Sequence, residues 1–561
     1  MIVLDRALLR RFGAIAAPYW FSGEKRLARG LLALLVMLLL GQAVFAVLLN
    51  EQTGEFTSAL AAQDAPRFWS SITRCLGVLL LGVPVHAFYY YVRDRLGGHW
   101  RRWLTYRYLE AYLAQQVYFR LDARSGIDNP DQRIAEDIGT FTQKSLQFLL
   151  VLAGALLQLL AFSGVLWSIS RELVLFLLIY TTIGTIVTVL LFGKVLIGLN
   201  FYQLKREADF RFSLVRIREN AEAIAFYAGE QLEARQIERH FGEVFGNYLR
   251  LIRIQLRLNL FQYAFSFLTV ILPSVIIAGR VLSGELEVGR AIQAAGAFAA
   301  ILAALTVIVD NFDSLSKFAA GIERLDRFAR FMEAREGGEE EHIRFSTDTR
   351  VRIDNLTLWT PQRERTLITG LSISVEPGGS LMIVGTSGCG KSSLLRAIAG
   401  LWPSGRGRIA RPPAGEMLFL PQRPYMLLGS LRSQLLYPRE LPLRDDDALR
   451  AMLQQVNLPG LAERFGGLDA ELDWAKVLSV GEQQRIAFAR LLLAQPRYAI
   501  LDEASSALDA FNEERLYGLL AASGITYVSV AHRASLRRYH RRVLEFGDDG
   551  RWVLYSVSHG V

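Results

Sequence analysis

Gly385-Thr386-Ser387-Gly388-Cys389-Gly390-Lys391-Ser392 reads G-x-x-x-x-G-K-S. The four residues before it, Leu381 to Val384, are apolar over about one buried strand. The run after it, Ser393 to Ala399, has helical character. Strand, glycine loop and helix together make a phosphate-cradling loop. Glycines let the backbone wrap a polyphosphate with its N–H groups, and the helix N-terminus adds partial positive charge. Lys391 can reach the β and γ phosphates, and the Ser392 hydroxyl can ligate Mg²⁺. The whole run from Gly385 to Ser393, with Thr386, Ser387, Gly388, Cys389 and Gly390 in its bend, is the expected ATP-binding loop. A glycine-rich turn before an ordinary helix would have no need of Lys-Ser at this spacing.

Downstream, Tyr498 to Leu501 is a buried-strand pattern that ends in Asp502-Glu503. A carboxylate at a strand end suits Asp502 to hold Mg²⁺, and its neighbour Glu503 can act as general base on an attacking water. Leu478-Ser479-Val480-Gly481-Glu482-Gln483-Gln484-Arg485 precedes a helix. Ser479, Gly481 and Glu482 are the expected members of a second anion site there, which makes sense if it faces the ATP of another copy. Gln422, after the strand Met417 to Leu420, can sense the γ-phosphate and its metal. His532, after Thr526 to Val530, can hydrogen-bond the same phosphate. Ser506-Ala507-Leu508-Asp509 could span a seam between two copies. An aromatic that stacks on adenine is expected before the loop. Trp359 is the nearest, although a packed strand tryptophan explains it equally, and by motif alignment the position falls on Thr360 instead.

The chain has 561 residues, too many for one core, and 52% of them are hydrophobic. Most of the excess lies in the first 330 or so. Six apolar runs of membrane length are expected, at about Leu27–Asn50, Cys75–Tyr91, Leu146–Ile169, Leu173–Leu196, Leu258–Leu282 and Ala291–Val309. The polar stretch Glu51 to Trp69 would connect the first two. Two long charged connections, His99 to Lys144 and Asn200 to Arg257, would extend the spans as cytoplasmic helices. Before the spans, Leu4 to Phe21 has apolar residues at helical spacing among arginines and is expected to lie at the membrane interface. Polar groups within the spans, Gln42, His86, Gln158, Tyr180, Thr181, Thr182 and Gln262 among them, suggest a cavity that is not purely apolar; helix-to-helix hydrogen bonding is the plainer account of any one.

The net charge of +9 could mark a nucleic-acid binder. The arginines cluster beside the apolar runs, as at Arg93, Arg95, Arg101, Arg102 and Arg107, which fits membrane topology and leaves nucleic acid out. Two cysteines, Cys75 and Cys389, cannot build a disulfide framework or a thiolate metal site. The expected division is a six-span helical domain over residues 1–335, an acidic linker over 336–348 and an α/β ATPase over 349–561.

The glycine loop, Gln422, Leu478–Arg485, Asp502-Glu503, Ser506–Asp509 and His532 together resemble the motif set of an ABC transporter ATPase. The layout resembles a half-transporter of exporter-type fold. Asn129-Pro130-Asp131-Gln132-Arg133-Ile134, Glu219 to Tyr227 and Leu418 to Tyr425 are similar to the bacterial BacA/SbmA-like transporters fused to their own ATPase, which are related to the peroxisomal fatty acyl-CoA transporters. Val480 departs from the usual signature glycine. The resemblance implies a homodimer in the bacterial inner membrane, with ATP and Mg²⁺ held between the loop of one copy and the signature of the other. It implies ATP-driven movement of peptides or other bulky hydrophilic solutes such as cobalamin, in the direction of uptake; a lipid or fatty acyl-CoA transporter of the same architecture is the alternative.

Overall fold

A computed structural model describes residues 6–124, 130–333, 342–402, 404–438, 445–547 and 550–557. The chain divides into two compact units, Met1–Arg335 and Glu336–Val561. The acidic stretch 336–341 of the expected linker and Asn129 lie outside the described residues.

The first unit is helical: α1 Arg6–Trp20, α2 Lys25–Ala61, α3 Ala65–Leu113, α4 Val117–Arg124, α5 Pro130–Ile169, α6 Arg171–Gly193, α7 Lys194–Glu219, α8 Ala221–Tyr227, α9 Glu230–Leu282, α10 Val288–Asp310 and α11 Phe312–Glu333. Five of these, α2, α3, α5, α6 and α10, are long and apolar enough to cross a membrane among the described residues. The expected fifth span falls on the C-terminal part of α9, where the side chains at 268–270 and 272–274 lie outside the described set. Leu80 and Leu190 are 77% and 75% exposed, a surface that suits hydrocarbon rather than water.

Two expectations change. The polar stretch after the first span is no loop: α2 runs through it to Ala61, and α3 restarts at Ala65, capped by the Asp64 carboxylate accepting from Arg67 N. It stays helical because small residues let α2 and α10 touch. Ser58 Oγ accepts from Gly289 N, and a Cβ at Gly289 would fall on the Gly54 carbonyl. Asn50 Nδ2 donates to Gln293 O, Gln293 Nε2 donates to Glu51 O, and a Cβ at Gly296 would fall on the Asn50 side chain. Second, much of the apolar face of α1 is covered by protein, although Leu9 stays exposed. Tyr19 is fully buried and stacks on Trp100 of α3 with ring centroids 5.6 Å apart, while Phe12 packs on Phe141 of α5 and Phe318 of α11. Amphipathic spacing reports that a face is apolar; it does not report what covers it. Leu4, the first residue of that pattern, lies outside the described residues.

The second unit holds β1 Ile343–Thr347, β2 Val351–Trp359, β3 Thr366–Val375, β4 Ser380–Gly385, β5 Gly405–Arg411, β6 Met417–Leu420, the short pair β7 Gly429–Ser430 and β8 Glu471–Leu472, β9 Tyr498–Asp502, β10 Thr526–Val530, β11 Arg542–Phe546 and β12 Trp552–Ser556. A four-stranded sheet runs β1-β5-β2-β3 and a six-stranded one β12-β11-β4-β10-β9-β6. In the larger sheet every neighbouring pair is parallel except β11–β12. Its strands are near-continuous apolar runs, as burial on both faces requires: Leu381, Met382, Ile383, Ala499, Ile500, Leu501, Val528 and Val530 are almost wholly buried. Val530 registers with Ile383 on one side and Asp502 on the other, and Leu420 with Leu501. The C-terminal ends of β4, β10, β9 and β6 therefore come side by side, which is where ligands sit in open parallel sheets.

Candidate nucleotide site

Each of those four strand ends delivers one expected group. β4 opens into the loop that leads to α12, Lys391–Ala399. Gly385, Gly388 and Gly390 have φ of +147°, +82° and +105°, which side chains rarely adopt. Space closes the case at two of them. A Cβ at Gly385 would lie 2.8 Å from Phe546 O and 2.9 Å from Cys389 Sγ, and one at Gly390 would lie 3.1 Å from Leu367 Cβ. Thr386, Ser387 and Gly388 form the exposed bend, Cys389 and Gly390 are buried beneath it, and Ser392 and Ser393 are half-buried in the first turn of α12. Lys391 is 6% exposed, and its Nζ donates to Gly385 O at 2.9 Å and Thr386 O at 2.8 Å, which holds the ammonium under the loop.

Ser392 Oγ donates to Asp502 Oδ1 at 2.9 Å, so the two expected metal ligands already meet across 110 residues of sequence. Burial pushes the Asp502 carboxyl above its usual range. The Ser392 bond opposes that, the Glu503 charge adds to it, and Arg396 and Lys391 oppose it. A hydroxyl beside a half-buried carboxylate is oxygen chemistry suited to Mg²⁺.

Glu503 is clasped from two strand ends. Gln422 Nε2, beyond β6, donates to its Oε2 at 3.0 Å, and His532 Nε2, beyond β10, lies 2.8 Å from its Oε1. Its backbone is left-handed, φ +48°, with its N–H donating to Val530 O at 3.2 Å. That conformation costs a non-glycine residue on the order of 1–3 kcal/mol and turns the side chain out of strand geometry toward the loop. Gln422, Asp502, Glu503 and His532 are thus brought together with Ser392 and Lys391.

Trp359 pairs with Thr366, next to the Leu367 that abuts Gly390, so its rung lies beside the loop. Its ring has the Arg363 and Arg406 guanidiniums 5.4 and 6.0 Å from its centroid. Thr360 instead closes a turn: its N–H donates to Arg365 O, and its hydroxyl accepts from Arg365 N.

The signature stretch caps α13, Val480–Ala494. Ser479 Oγ accepts from Glu482 N at 3.3 Å, and Glu482 Oε2 accepts from both Ser479 N and Ser479 Oγ. Arg464 donates to the other Glu482 oxygen at 2.8 Å. Burial alone would raise the Glu482 carboxyl, but the Ser479 N–H, the Arg464 guanidinium and the Ser479 hydroxyl outweigh it and hold it below the usual range. Glu482, expected at the anion site, is engaged here by the cap and by Arg464. An ionised carboxylate has no donor to offer a phosphate, and here it serves the cap. Ser479 is exposed, as is Val480. A Cβ at Gly481 would lie 3.2 Å from Ala507 O, so the signature touches the Ser506–Asp509 loop within one chain. Gln484, part of the signature stretch but given no role of its own there, is fully buried and bonds to that loop and to Gln422. Its signal in the sequence is its place in that stretch; nothing local shows which segments its amide would reach.

In the membrane unit, the polar groups of the spans divide. Tyr180 OH donates to Phe265 O, Thr181 and Thr182 donate to the Leu177 and Leu178 carbonyls, and His86 Nδ1 lies 2.9 Å from Gly82 O. The threonines and the histidine bond within their own helices, and of these four only Tyr180 reaches another helix. A polar cavity of about 500 Å³ lies instead at the arginine-rich end of α3 and α5, lined by Arg93, Arg101, Thr142, Gln143 and Gln147 over Gly97 and Gly98.

Comparison with known proteins matches residues 15–282 to the ABC transporter transmembrane region 2 family and residues 368–506 to the ABC transporter family. The chain is 45% identical to an uncharacterized ABC transporter ATP-binding protein of Synechocystis over 90% of its own length and 78% of that protein's. It is 38% identical to the chloroplastic ABC transporter D family member 2 of Arabidopsis thaliana, covering 96% of this chain and 86% of the relative. It is 31% identical to a human lysosomal cobalamin transporter over 99% of this chain and 97% of the relative.

Proposed function

The chain belongs to the ABC transporters, as a multi-pass membrane domain fused to an ATPase that couples ATP hydrolysis to transport, and from that premise we propose its cargo, its partner and the division of labour in its site. The cargo is a peptide or another bulky hydrophilic solute such as cobalamin, taken up across a bacterial inner membrane by a dimer of two identical chains. The observation that carries the cargo reading is the likeness along nearly the full length of both chains to a protein named as a cobalamin transporter. The polar, arginine-lined cavity between α3 and α5 supports it.

In the site, the N–H groups of Gly385 to Ser393 and the Lys391 ammonium hold the phosphates, and the Trp359 ring stacks on adenine. Ser392 and Asp502, with Gln422, hold Mg²⁺, which when bound neutralises charge developing on the phosphoryl oxygens. Glu503 accepts the proton of the attacking water, with Gln422 and His532 fixing its two oxygens. Ser479 and Gly481 of the second copy close over the same phosphates.

The test is transport by the full-length chain in proteoliposomes with ATP on the ATPase side. Accumulation of labelled cobalamin or labelled peptide is expected. ATP hydrolysis that never yields accumulation of either would sink the cargo reading, and stimulation of hydrolysis by a fatty acyl-CoA alone would favour a lipid-type cargo. Intact-complex mass measurement is expected to give two chains; a lone chain that hydrolyses ATP at full rate would sink the two-copy reading.

A further inference from the structure

Gln484 sits on α13, beneath the signature, and is completely shielded from solvent. Its Nε2 donates to Gln422 O at 3.0 Å and to Ser506 Oγ at 3.3 Å, and its Oε1 accepts from Ala507 N at 3.0 Å. The orientation of this amide is fixed from both sides: a carbonyl can only accept and a backbone N–H can only donate. One side chain therefore joins three segments far apart in sequence: the turn bearing Gln422, the Ser506–Asp509 loop, and the helix capped by Ser479. The first carries a group that touches the Glu503 carboxylate. The third also presses on the second directly, through Gly481 against Ala507 O.

We propose that Gln484 is a positioning residue for ATP hydrolysis, which holds the Gln422 turn and the Ser506–Asp509 loop in register with the signature helix. It touches neither phosphate nor water in this role and acts through the backbone of Gln422 and Ala507. The consequence rests on the two-copy reading above. In that arrangement Gln422 and Glu503 serve the chain's own ATP, whereas Ser479 and the Ser506–Asp509 loop serve the partner's. Gln484 is then a buried tie between the two ATP sites, and displacement of the signature by one nucleotide moves the Gln422 turn beside the other. Further along the same helix, Arg490 donates to Tyr425 O and to Gln434 O, so the segment after Gln422 is fastened to α13 as well. That second fastening gives Gln484 a stiff frame, and a lost amide would be felt locally at Gln422 and Ala507.

Two substitutions of similar volume test this in the full-length chain in lipid nanodiscs, with Glu503→Gln alongside. Gln484→Met removes all three hydrogen bonds. Its kcat is expected to fall at least about tenfold, with KM for ATP and binding of labelled ATP held within about threefold, since the loop that grips the phosphates is untouched. Gln484→Glu keeps the acceptor for Ala507 N, but when ionised it loses both donors and faces the Gln422 carbonyl with negative charge. Protonated, it regains one donor. Its activity relative to wild type is therefore expected to climb as pH falls from about 8 to about 6, while the Gln484→Met deficit stays flat across that range. Wild-type kcat in Gln484→Met, or a Gln484→Glu deficit that does not move with pH, would overturn the positioning role. If Glu503→Gln itself hydrolyses ATP at the wild-type rate, the assignment of the site fails first, and that result is separate from a Gln484 failure beside an inactive Glu503→Gln.

Discussion

Glu503→Gln should separate nucleotide binding from turnover, and the size of the effect follows from the contacts. One carboxylate oxygen accepts from Gln422 Nε2 at 3.0 Å, and the other faces His532 Nε2 at 2.8 Å. Glutamine has the same shape. Its carbonyl can keep the Gln422 bond, and its NH₂ can donate to His532 Nε2 if the imidazole carries its proton on Nδ1. Both bonds survive, the left-handed backbone is unaltered, and no cavity opens. What disappears is the lone pair that accepts a proton from water. Loss of a general base costs about 10²–10⁴ in rate, or about 2.7–5.4 kcal/mol of barrier at about 1.36 kcal/mol per decade. ATP affinity should hold within about threefold because the grip of Lys391 and the loop is untouched. The assay is phosphate release by the full chain in nanodiscs, run beside retention of labelled ATP. Phosphate release within about threefold of wild type would refute the base assignment. Equal losses of binding and release would refute the claim that this side chain acts only in turnover.

Lys391→Ala removes the ammonium held at Gly385 O and Thr386 O; ATP retention should weaken by about tenfold to a hundredfold, from about 1.5–3 kcal/mol for a charge-assisted hydrogen bond, and unchanged retention would contradict its role. Gly289→Ala places a methyl on the Gly54 carbonyl, an overpacking cost of about 1–3 kcal/mol that should lower the thermal midpoint of the purified chain by several degrees, whereas Gly13→Ala, with open space at its Cβ, should not. Buried His540 has its pKa pushed down from 6.5 to about 4, chiefly by burial against the Leu536 hydrogen bond that favours the charged form. The unfolded chain therefore binds the extra proton first. Stability is fully present above about pH 6.5 and is lost as pH falls toward about 4, by up to about 3 kcal/mol. A thermal midpoint measured between those limits should show this slope, and His540→Gln should flatten it.

The nucleotide site was largely legible because its parts are fixed by short-range grammar. A glycine loop needs a strand before it and a helix after it, and Asp502-Glu503 must end a buried strand. That the parts converge is a property of strand order: β4, β10, β9 and β6 are neighbours although β6 precedes β9 by some 80 residues. Long-range ties were not legible. Gln484 reads as one more residue of an amphipathic helix, and its three partners come from two other segments. Position alone marks Glu482 for an anion site, whereas its capping-box spacing to Ser479 also suits the cap it forms. In the membrane half, periodicity gives the apolar faces but not their covers: nothing in the spacing of α1 shows that Tyr19 and Phe12 meet Trp100 and Phe141. The end of α2 was read from polarity, which overlooks that Gly54 and Ser58 let another helix close in.

That last contact has a mechanical meaning. Gly289 lies against the Gly54 carbonyl and Gly296 against the Asn50 side chain, while the Gln293 side chain of α10 fills the space over Gly54. Two helices seated this closely, and tied by the Asn50, Ser58 and Gln293 hydrogen bonds, resist sliding, so small displacements carry both together. Among the described residues, the helices depart from regular winding at several other places, including the extended Ser170, the widened turns at Arg133–Asp137 and Val189–Gly193 and the tight turn Ala114–Gln116. Bending at such joints disturbs fewer packed contacts than sliding along the α2–α10 seam.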